Sequence, residues 1–383
     1  MSAIRPANVV VAMSGGVDSA VAASLLLDQG HSVQGLFMSN WEEDEGGYCT
    51  SAEDYQDARR VADQLGIALH RSNFAREYRE RVFAHFLDEY RAGRTPNPDV
   101  LCNREIKFGA CFAYAKRLGA ELFATGHYAH VGPLPEQKDG PKDGEYALLR
   151  AADASKDQTY FLHAIDPGLL PQIVFPLGAI QKSEVRAIAR ARSLPVHDKK
   201  DSTGICFIGE RPFADFLSQH LAAARGPIES VEGVELGTHV GLIYYTLGQR
   251  QGIRVGGRRG ADAAPWYVAD KDLARNVLVV AQGQNHHSLM SSALETARMH
   301  WLTQQPILDG DLTAQIRHRQ RPFGVRCKLR ADGSMRVEFQ EPQRAIAPGQ
   351  FVVLYQSQRC LGGAVIERTI ACSATAPLAE RLA

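Results

Sequence analysis

The sequence predicts an α/β domain on a parallel sheet, then a small β-rich central domain, then a C-terminal β-barrel. Three observations predict it. Strand-like and helix-like segments alternate through the first 200 residues, the pattern of a parallel sheet covered by helices. After about residue 225, short β-rich runs alternate with Gly, Pro and Asp turns. From about Ser291, runs such as Thr313 to His318, Val325 to Leu329, Met335 to Phe339 and Phe351 to Tyr355 read as barrel or sandwich strands. The expected domains are 1–220, 221–290 and 291–383 of a 383-residue chain, a length that suits two or three cores.

The elements follow in order. Val9 to Met13 reads as a first strand and Ala20 to Gln29 as a helix; His31 to Met38 is a second strand and Ala52 to Leu65 a second helix. Ile67 to His70 is a third strand, and Arg76 to Tyr90 and Arg104 to Leu118 are helices. Glu121 to Thr125 is a strand that runs into Gly126-His127. In such sheets ligands sit at the carboxyl ends of the strands, so Met13, Met38 and Gly126 are expected on one edge. Pro133 to Gly144 reads as a hairpin tip and Lys182 to Arg192 as an amphipathic helix. Leu242 to Leu247, Trp266 to Asp270 and Val277 to Ala281 are the β-rich runs of the central domain.

Composition is that of an ordinary globular protein, with 43 basic and 43 acidic residues and no net charge. Net charge therefore points to no partner. No signal peptide and no membrane-spanning run are expected, and cytoplasm is the expected location. Seven scattered cysteines do not form a disulfide scaffold, and no cysteine or histidine cluster has zinc spacing.

Ser14-Gly15-Gly16-Val17-Asp18-Ser19 lies between the first strand and the first helix. Glycines let a backbone approach a phosphate closely, and the N–H groups and positive dipole end of the helix attract an anion. Ser14 and Ser19 add hydroxyl donors. Asp18 would repel phosphate, which implies a bridging Mg²⁺. Neither a Walker loop nor a dinucleotide fingerprint is present. The hexapeptide resembles the PP-loop of ATP pyrophosphatases, which release AMP and pyrophosphate. A plain glycine turn with a helix cap is the alternative.

Two cysteines stand in unusual settings. Cys102 follows Arg94-Thr95-Pro96-Asn97-Pro98-Asp99, where two prolines predict a stiff loop before the helix at Arg104. A thiol near that helix start and Arg104 is expected to ionise readily. Cys206 lies among glycines after Lys199-Lys200, which favour its thiolate. Cys111, Cys327, Cys360 and Cys372 read as small buried hydrophobes, and Cys49 is left open. Asp99 is a candidate general acid or base, with helix capping as the alternative. Arg317, Arg319 and Arg321, and then Arg326, Lys328 and Arg330, alternate as if on strand faces joined by Pro322-Phe323-Gly324. They read as a basic patch for phosphates, or as a solvated face.

The chain as a whole resembles the tRNA-specific 2-thiouridylase family. The motifs are Ser14 to Ser19, Leu36-Phe-Met-Ser-Asn-Trp41, Arg94 to Asp99 with Leu101-Cys-Asn103, Ala124-Thr-Gly-His-Tyr128, Lys156-Asp-Gln158, Lys200 to Glu210, Tyr245 to Arg250 and Ala347 to Gln350. The resemblance spans about Asn8 to Glu367 and implies a PP-loop domain of adenine-nucleotide α-hydrolase type. It implies ATP-dependent adenylation of C2 of the wobble uridine, position 34 of tRNA, and sulfur transfer from a persulfide to give 2-thiouridine. ATP and Mg²⁺ are the implied cofactors, with Asp18 reaching Mg²⁺ through pyrophosphate. The nucleotide contacts implied are Ala12, Met13, Ser14, Gly15, Gly16, Val17, Asp18, Ser19, Met38 and Gly126. Cys206 would carry the persulfide, with Cys102 as the partner thiol that closes a disulfide with it. Asn97, Pro98 and Asp99 would contact the target base. His127, Lys156, Asp157, Gln158, Arg317, His318 and Gln350 would contact tRNA. A sulfur-relay donor fed by a cysteine desulfurase and a reductant for the disulfide are implied partners. The rival expectations are another PP-loop adenylating enzyme, such as an amide-forming ligase, and a non-catalytic tRNA-binding protein.

Overall fold

The computed structural model describes residues 5–41, 51–133, 146–201, 213–255, 264–303, 308 and 310–372. Cys49, Cys206 and most of the Pro133–Gly144 tip lie outside the described residues.

The first sheet is parallel and five-stranded. Its strands are β1 Asn8–Met13, β2 Ser32–Ser39, β3 Leu69–Asn73, β4 Leu122–Ala124 and, after the hairpin β5 His130–Pro133 and β6 Tyr146–Leu149, β7 Ile173–Val174. The sheet order is β3-β2-β1-β4-β7, with β1 central. Val9, Val10 and Val11 of β1 are fully buried, as a strand covered on both faces requires. Helix α1 Val17–Asp28 packs on it through Val17, Ala20, Val21, Ala22, Ala23 and Leu26, all buried. Helix α2 Ser51–Leu65 contributes Ala58 and Val61 to the same core.

The other face of the sheet is covered by two long helical runs, α3 at 75–91 and α4 at 98–117. Each contains a π-wound stretch, Arg79–Phe83 and Cys102–Cys111. Here the structure corrects the sequence reading. The second proline of Arg94–Arg104 does not forbid helix but starts it. Pro98 is the first helical residue, where its missing N–H costs nothing and its fixed φ suits the helix. The third strand also begins at Leu69, two residues later than expected.

The central sheet has four strands within 226–282, and its core includes Ile228, Val268, Leu278 and Val280. Leu242 to Leu247 is no strand; Leu242–Tyr244 is a 3₁₀ turn after Gly241. The third sheet closes on itself. Met290–Thr296, Met335–Arg344, Phe323–Leu329, Leu312–Gln315, Phe351–Gln356 and Arg359–Ala371 follow one another, and the last pairs back with the first. The β5–β6 hairpin of the first domain extends this barrel, with Leu149 opposite Arg359.

Arg317, Arg319 and Arg321 do not sit on a strand. They lie in the turn after Leu312–Gln315, and Arg319 has φ +63°. The turn falls there, ahead of Pro322-Phe323-Gly324, and Phe323 and Gly324 already belong to the next strand. Arg326 and Lys328 do share an exposed strand face. Arg330 is drawn away by Glu295, whose carboxylate also holds Arg336 and Arg368. The expected basic patch is thus partly neutralised by an acid distant in sequence.

Candidate active site at the carboxyl edge of the parallel sheet

β1, β2 and β4 are adjacent and parallel, so Met13, Met38 and Gly126 fall on one edge. The Ser14–Ser19 loop sits there. Gly15 has φ +73°, and a Cβ on it would lie 2.2 Å from the Asp54 carbonyl oxygen of α2. Glycine is therefore required on both conformational and steric grounds. Gly16 is the N-cap of α1 and no side chain caps it, which leaves the helix start available to an anion. A Cβ on Gly126 would stand 2.8 Å from the Asp18 carbonyl carbon and the Ser19 nitrogen. Gly126 thus packs against the start of α1.

Two contacts of this loop carry no signal in the sequence. The Ser19 hydroxyl is engaged within the turn. It donates to the Gly16 carbonyl at 3.1 Å and accepts from the Ser14 N–H at 3.1 Å, bracing the turn. Asp18 already has a cation. Lys182 Nζ lies 2.7 and 2.8 Å from its two oxygens, and the Tyr128 hydroxyl donates to Oδ1 at 2.8 Å. Lys182 also reaches Asp201 at 2.9 Å, which Lys156 and Arg186 bind as well. Burial alone would raise the Asp201 carboxyl, but Lys156 and Lys182 hold it well below the usual carboxylate range. Among the described residues no cluster of three His, Cys, Asp or Glu side chains could hold a metal.

Lys199 bonds the Gly15 carbonyl at 3.1 Å, Asp54 at 2.6 Å and Asp57 at 2.5 Å; the Cys206 thiol that the sequence pairs with it lies outside the described residues. Lys199 ties α2 to the anion loop. Lys182 and Lys199 escape a sequence reading because lysines some 160 to 180 residues away from a glycine loop carry no local signal.

Gly126 leads to His127, whose Nε2 lies 3.5 Å from Lys107 Nζ on α4. Lys107 is a donor only, so Nε2 accepts and Nδ1–H donates to Thr125 Oγ1 at 2.6 Å. Burial, then the nearby Lys107, holds the His127 imidazole neutral, well below its ordinary pKa. Asp99 sits in the first turn of α4. Burial raises its pKa and Lys107 opposes that rise. Cys102 is 2% exposed and packs with Val100, Ile106 and Phe108. It does not lie in a polar loop, as expected, but five residues into the helix. Arg104 is committed to Glu105 at 2.8 Å. Among the cysteines assigned to the core, Cys111 and Cys360 are buried, while Cys327 and Cys372 are half-buried.

The barrel closes the site from the other side. Gln350 Nε2 donates to the Thr95 and Pro96 carbonyls at 2.9 and 3.1 Å. His318 Nε2 lies 3.2 Å from the Asp157 carbonyl oxygen. The Asp157 carboxylate binds Arg150 at 2.9 Å and Thr159 at 2.8 Å, so its side chain is structural. Gln158 accepts from the Tyr128 N–H at 2.9 Å. Arg317 donates to the Ala345 carbonyl. With Gln350, Thr95 and Thr246 to Gln249, Arg317 lines a cleft of about 380 Å³ where all three domains meet. The buried Asn97 Oδ1 has no hydrogen-bond partner, an acceptor of the kind a ligand satisfies.

A braced anion loop at the carboxyl edge of a parallel sheet, with the Gly126-His127 turn packed against it, defines a nucleotide-using α/β enzyme. The tRNA methyl transferase HUP domain model matches residues 7–210. The tRNA methyl transferase PRC-barrel and aminomethyltransferase beta-barrel models match 214–282 and 291–366. The tRNA-specific 2-thiouridylase MnmA of Alcanivorax borkumensis is 55% identical over 94% of this chain and 98% of that protein. Its namesakes from Chromohalobacter salexigens and Stutzerimonas stutzeri are each 53% identical, over 94% and 96% of this chain and 93% and 96% of their own lengths. The chain belongs to the tRNA-specific 2-thiouridylase family.

Proposed function

We propose that the protein converts the wobble uridine of tRNA to 2-thiouridine, using Mg-ATP and a persulfide sulfur. The observation that carries this reading is the contact path from Ser14–Ser19 through Gly126 and His127 to Lys107 on the helix of Asp99 and Cys102. This link between the loop and the helix that carries Cys102 supports the reading. Methyl transfer, which the matched models' descriptions mention, would leave that loop without a task.

The uracil C2 oxygen leaves poorly until it is adenylated. O2 attacks the α-phosphorus, the bond to the bridging oxygen breaks, and its electron pair departs with pyrophosphate. The N3 proton passes to the Asp99 carboxylate. The N–H groups at the start of α1, with Lys182 beside Asp18, receive the pyrophosphate charge. Asn97 Oδ1 accepts from the flipped nucleotide, and Gln350 holds the Thr95–Pro96 backbone around it.

Sulfur then arrives as a Cys206 persulfide. The Cys102 thiolate attacks the Cys206 sulfur, a Cys102–Cys206 disulfide forms and hydrosulfide is released. Hydrosulfide adds at C2 and AMP leaves. An external dithiol returns two electrons to the disulfide. A sulfur-relay donor replenishes the persulfide, and the cytoplasm supplies the reducing surroundings. Among the described residues no helix is long and apolar enough to cross a membrane.

The test separates the two halves. Cys102→Ser should still release pyrophosphate when given tRNA, yet form no 2-thiouridine. Thiolation by that variant would remove Cys102 from the reaction. AMP formed at full rate without RNA would favour a ligase on a small metabolite.

A further inference from the structure

We propose that Lys107 is a positioning residue of this site: its ammonium fixes His127 in one neutral tautomer and keeps Asp99 ionisable. The inference rests on the reading of Asp99 as the base that takes the uridine proton. Lys107 belongs to no motif to which the sequence reading assigned a role.

The winding of α4 puts Lys107 in place. Asp99 and Cys102 are three apart and share a helix face. In ordinary α winding a residue five further on would turn well away from that face. Cys102–Cys111 is π-wound, with its hydrogen bonds running from i to i+5. Five residues then make about one turn, so Lys107 returns to the stripe of Asp99 and Cys102. π-wound stretches recur at functional sites, and this one has a geometric consequence.

The surroundings give the ammonium few competitors. Its Nζ is 3.5 Å from His127 Nε2, and no described carboxylate forms an ion pair with it within 4.0 Å. The His127 ring is walled by Phe108 and Phe175, each 6.0 Å away between centroids. The groups that face this region can be named. On α4 they are Asp99, Cys102 and Cys111, whose thiol burial holds protonated. The helix Thr159–Leu162 presents the Phe161 carbonyl, which accepts from Asn103 Nδ2 at 3.3 Å. His163, just beyond, is pulled down to about 4 by burial and is neutral at physiological pH. Lys107 is then the cation that acts on both Asp99 and His127.

Burial pushes the Asp99 carboxyl up, against its ionisation, and Lys107 opposes that push. A cation within about 4–6 Å lowers a carboxyl pKa by roughly 1–3 units. His127 cannot supply that charge, because it is neutral. It accepts from Lys107 and donates onward to Thr125, which holds the Gly126-His127 turn beside the start of α1.

The experiment uses the full chain and two removal variants, Lys107→Gln and Lys107→Met, with Lys107→Arg as the charge-conserving control. NMR titration of the Asp99 carboxyl and the His127 imidazole is read without any turnover. Removal should raise both pKa values, Asp99 by about one unit or more, and Lys107→Arg should restore them. tRNA-dependent pyrophosphate release is then followed against pH. Its acid limb should move up by the same interval in the removal variants, a roughly tenfold loss on the limb that high pH recovers. If Asp99 and His127 titrate as in wild type after removal, the inference is overturned. Activity lost equally at every pH, with both titrations unmoved, would make Lys107 a packing residue only. If instead the titrations move and Asp99→Asn leaves the release rate unchanged, the base assignment falls and the electrostatic role of Lys107 stands.

Discussion

Gly15 carries two separate demands. Its φ of +73° excludes most side chains, and the Asp54 carbonyl occupies the space a Cβ needs. Gly15→Ala should therefore push α2 and the loop apart and abolish pyrophosphate release, with a stability loss of about 1–3 kcal/mol. Chemical denaturation and a pyrophosphate assay check both halves. Asp18→Ala removes the partner of Lys182 at the same place. It should block adenylation before any sulfur step, so unchanged pyrophosphate release would refute that role. At this scale the sequence is most legible where chemistry is local. The glycine loop, Asp99 and Cys102 can be named from neighbours in the chain. Lys182, Lys199 and Lys107 cannot, because their partners are brought to them by the sheet order and by π winding.

The elements explain why the sequence misplaces the thiol. Pro-Asn-Pro reads as a stiff loop, yet a proline at the first helical position is favoured, so α4 begins at Pro98 and takes Cys102 inside. The charge rule for helix starts fades beyond the first turn, and Cys102 is past it. The thiol is instead packed among apolar side chains. Cys102→Ser should then cost roughly 1–2 kcal/mol of stability as well as thiolation, because a hydroxyl replaces a small hydrophobe in the core. Thermal unfolding of the variant measures this. The arginine turn misleads for a similar reason. Alternation of Arg317, Arg319 and Arg321 matches a strand, but the strand has ended at Gln315 and Arg319, at φ +63°, lies in the turn beyond it. Among the strands, Val325 to Leu329 is legible from its apolar alternation and Phe351 to Tyr355 from its unbroken apolar run. The 13-residue strand Arg359–Ala371 is not, since Gly362 and Gly363 interrupt its pattern.

Across the whole molecule, barrel and catalytic domain are joined by buried polar contacts: the Tyr160 hydroxyl lies 3.3 Å from the Ile316 carbonyl and 3.1 Å from the Phe351 carbonyl. Beside it, His163 Nδ1–H donates to the Tyr160 carbonyl at 2.7 Å, and its ring lies 5.0 Å from Phe351 of the barrel. Burial lowers its folded pKa to about 4, below the ordinary 6.5. The unfolded chain therefore takes up a proton first as pH falls. The stability tied to neutral His163 is complete above pH 6.5 and is lost as pH falls from 6.5 to 4, at up to about 1.4 kcal/mol per pH unit. Urea midpoints across that range should fall in wild type and fall less in His163→Gln. The three-domain cleft gives a second prediction at this scale. Arg317→Glu should weaken tRNA binding and reduce its salt slope by about one, and an unchanged slope would move the RNA site elsewhere. Neither contact is visible in the chain, because each joins residues from separate domains.

The most direct test is mass spectrometry of nucleosides from unmodified tRNA incubated with the full chain, Mg-ATP and a persulfide donor, beside Cys102→Ser. The account predicts 2-thiouridine at the wobble position, with AMP and pyrophosphate, from wild type alone. AMP without thiolation, or thiolation by the variant, would contradict it.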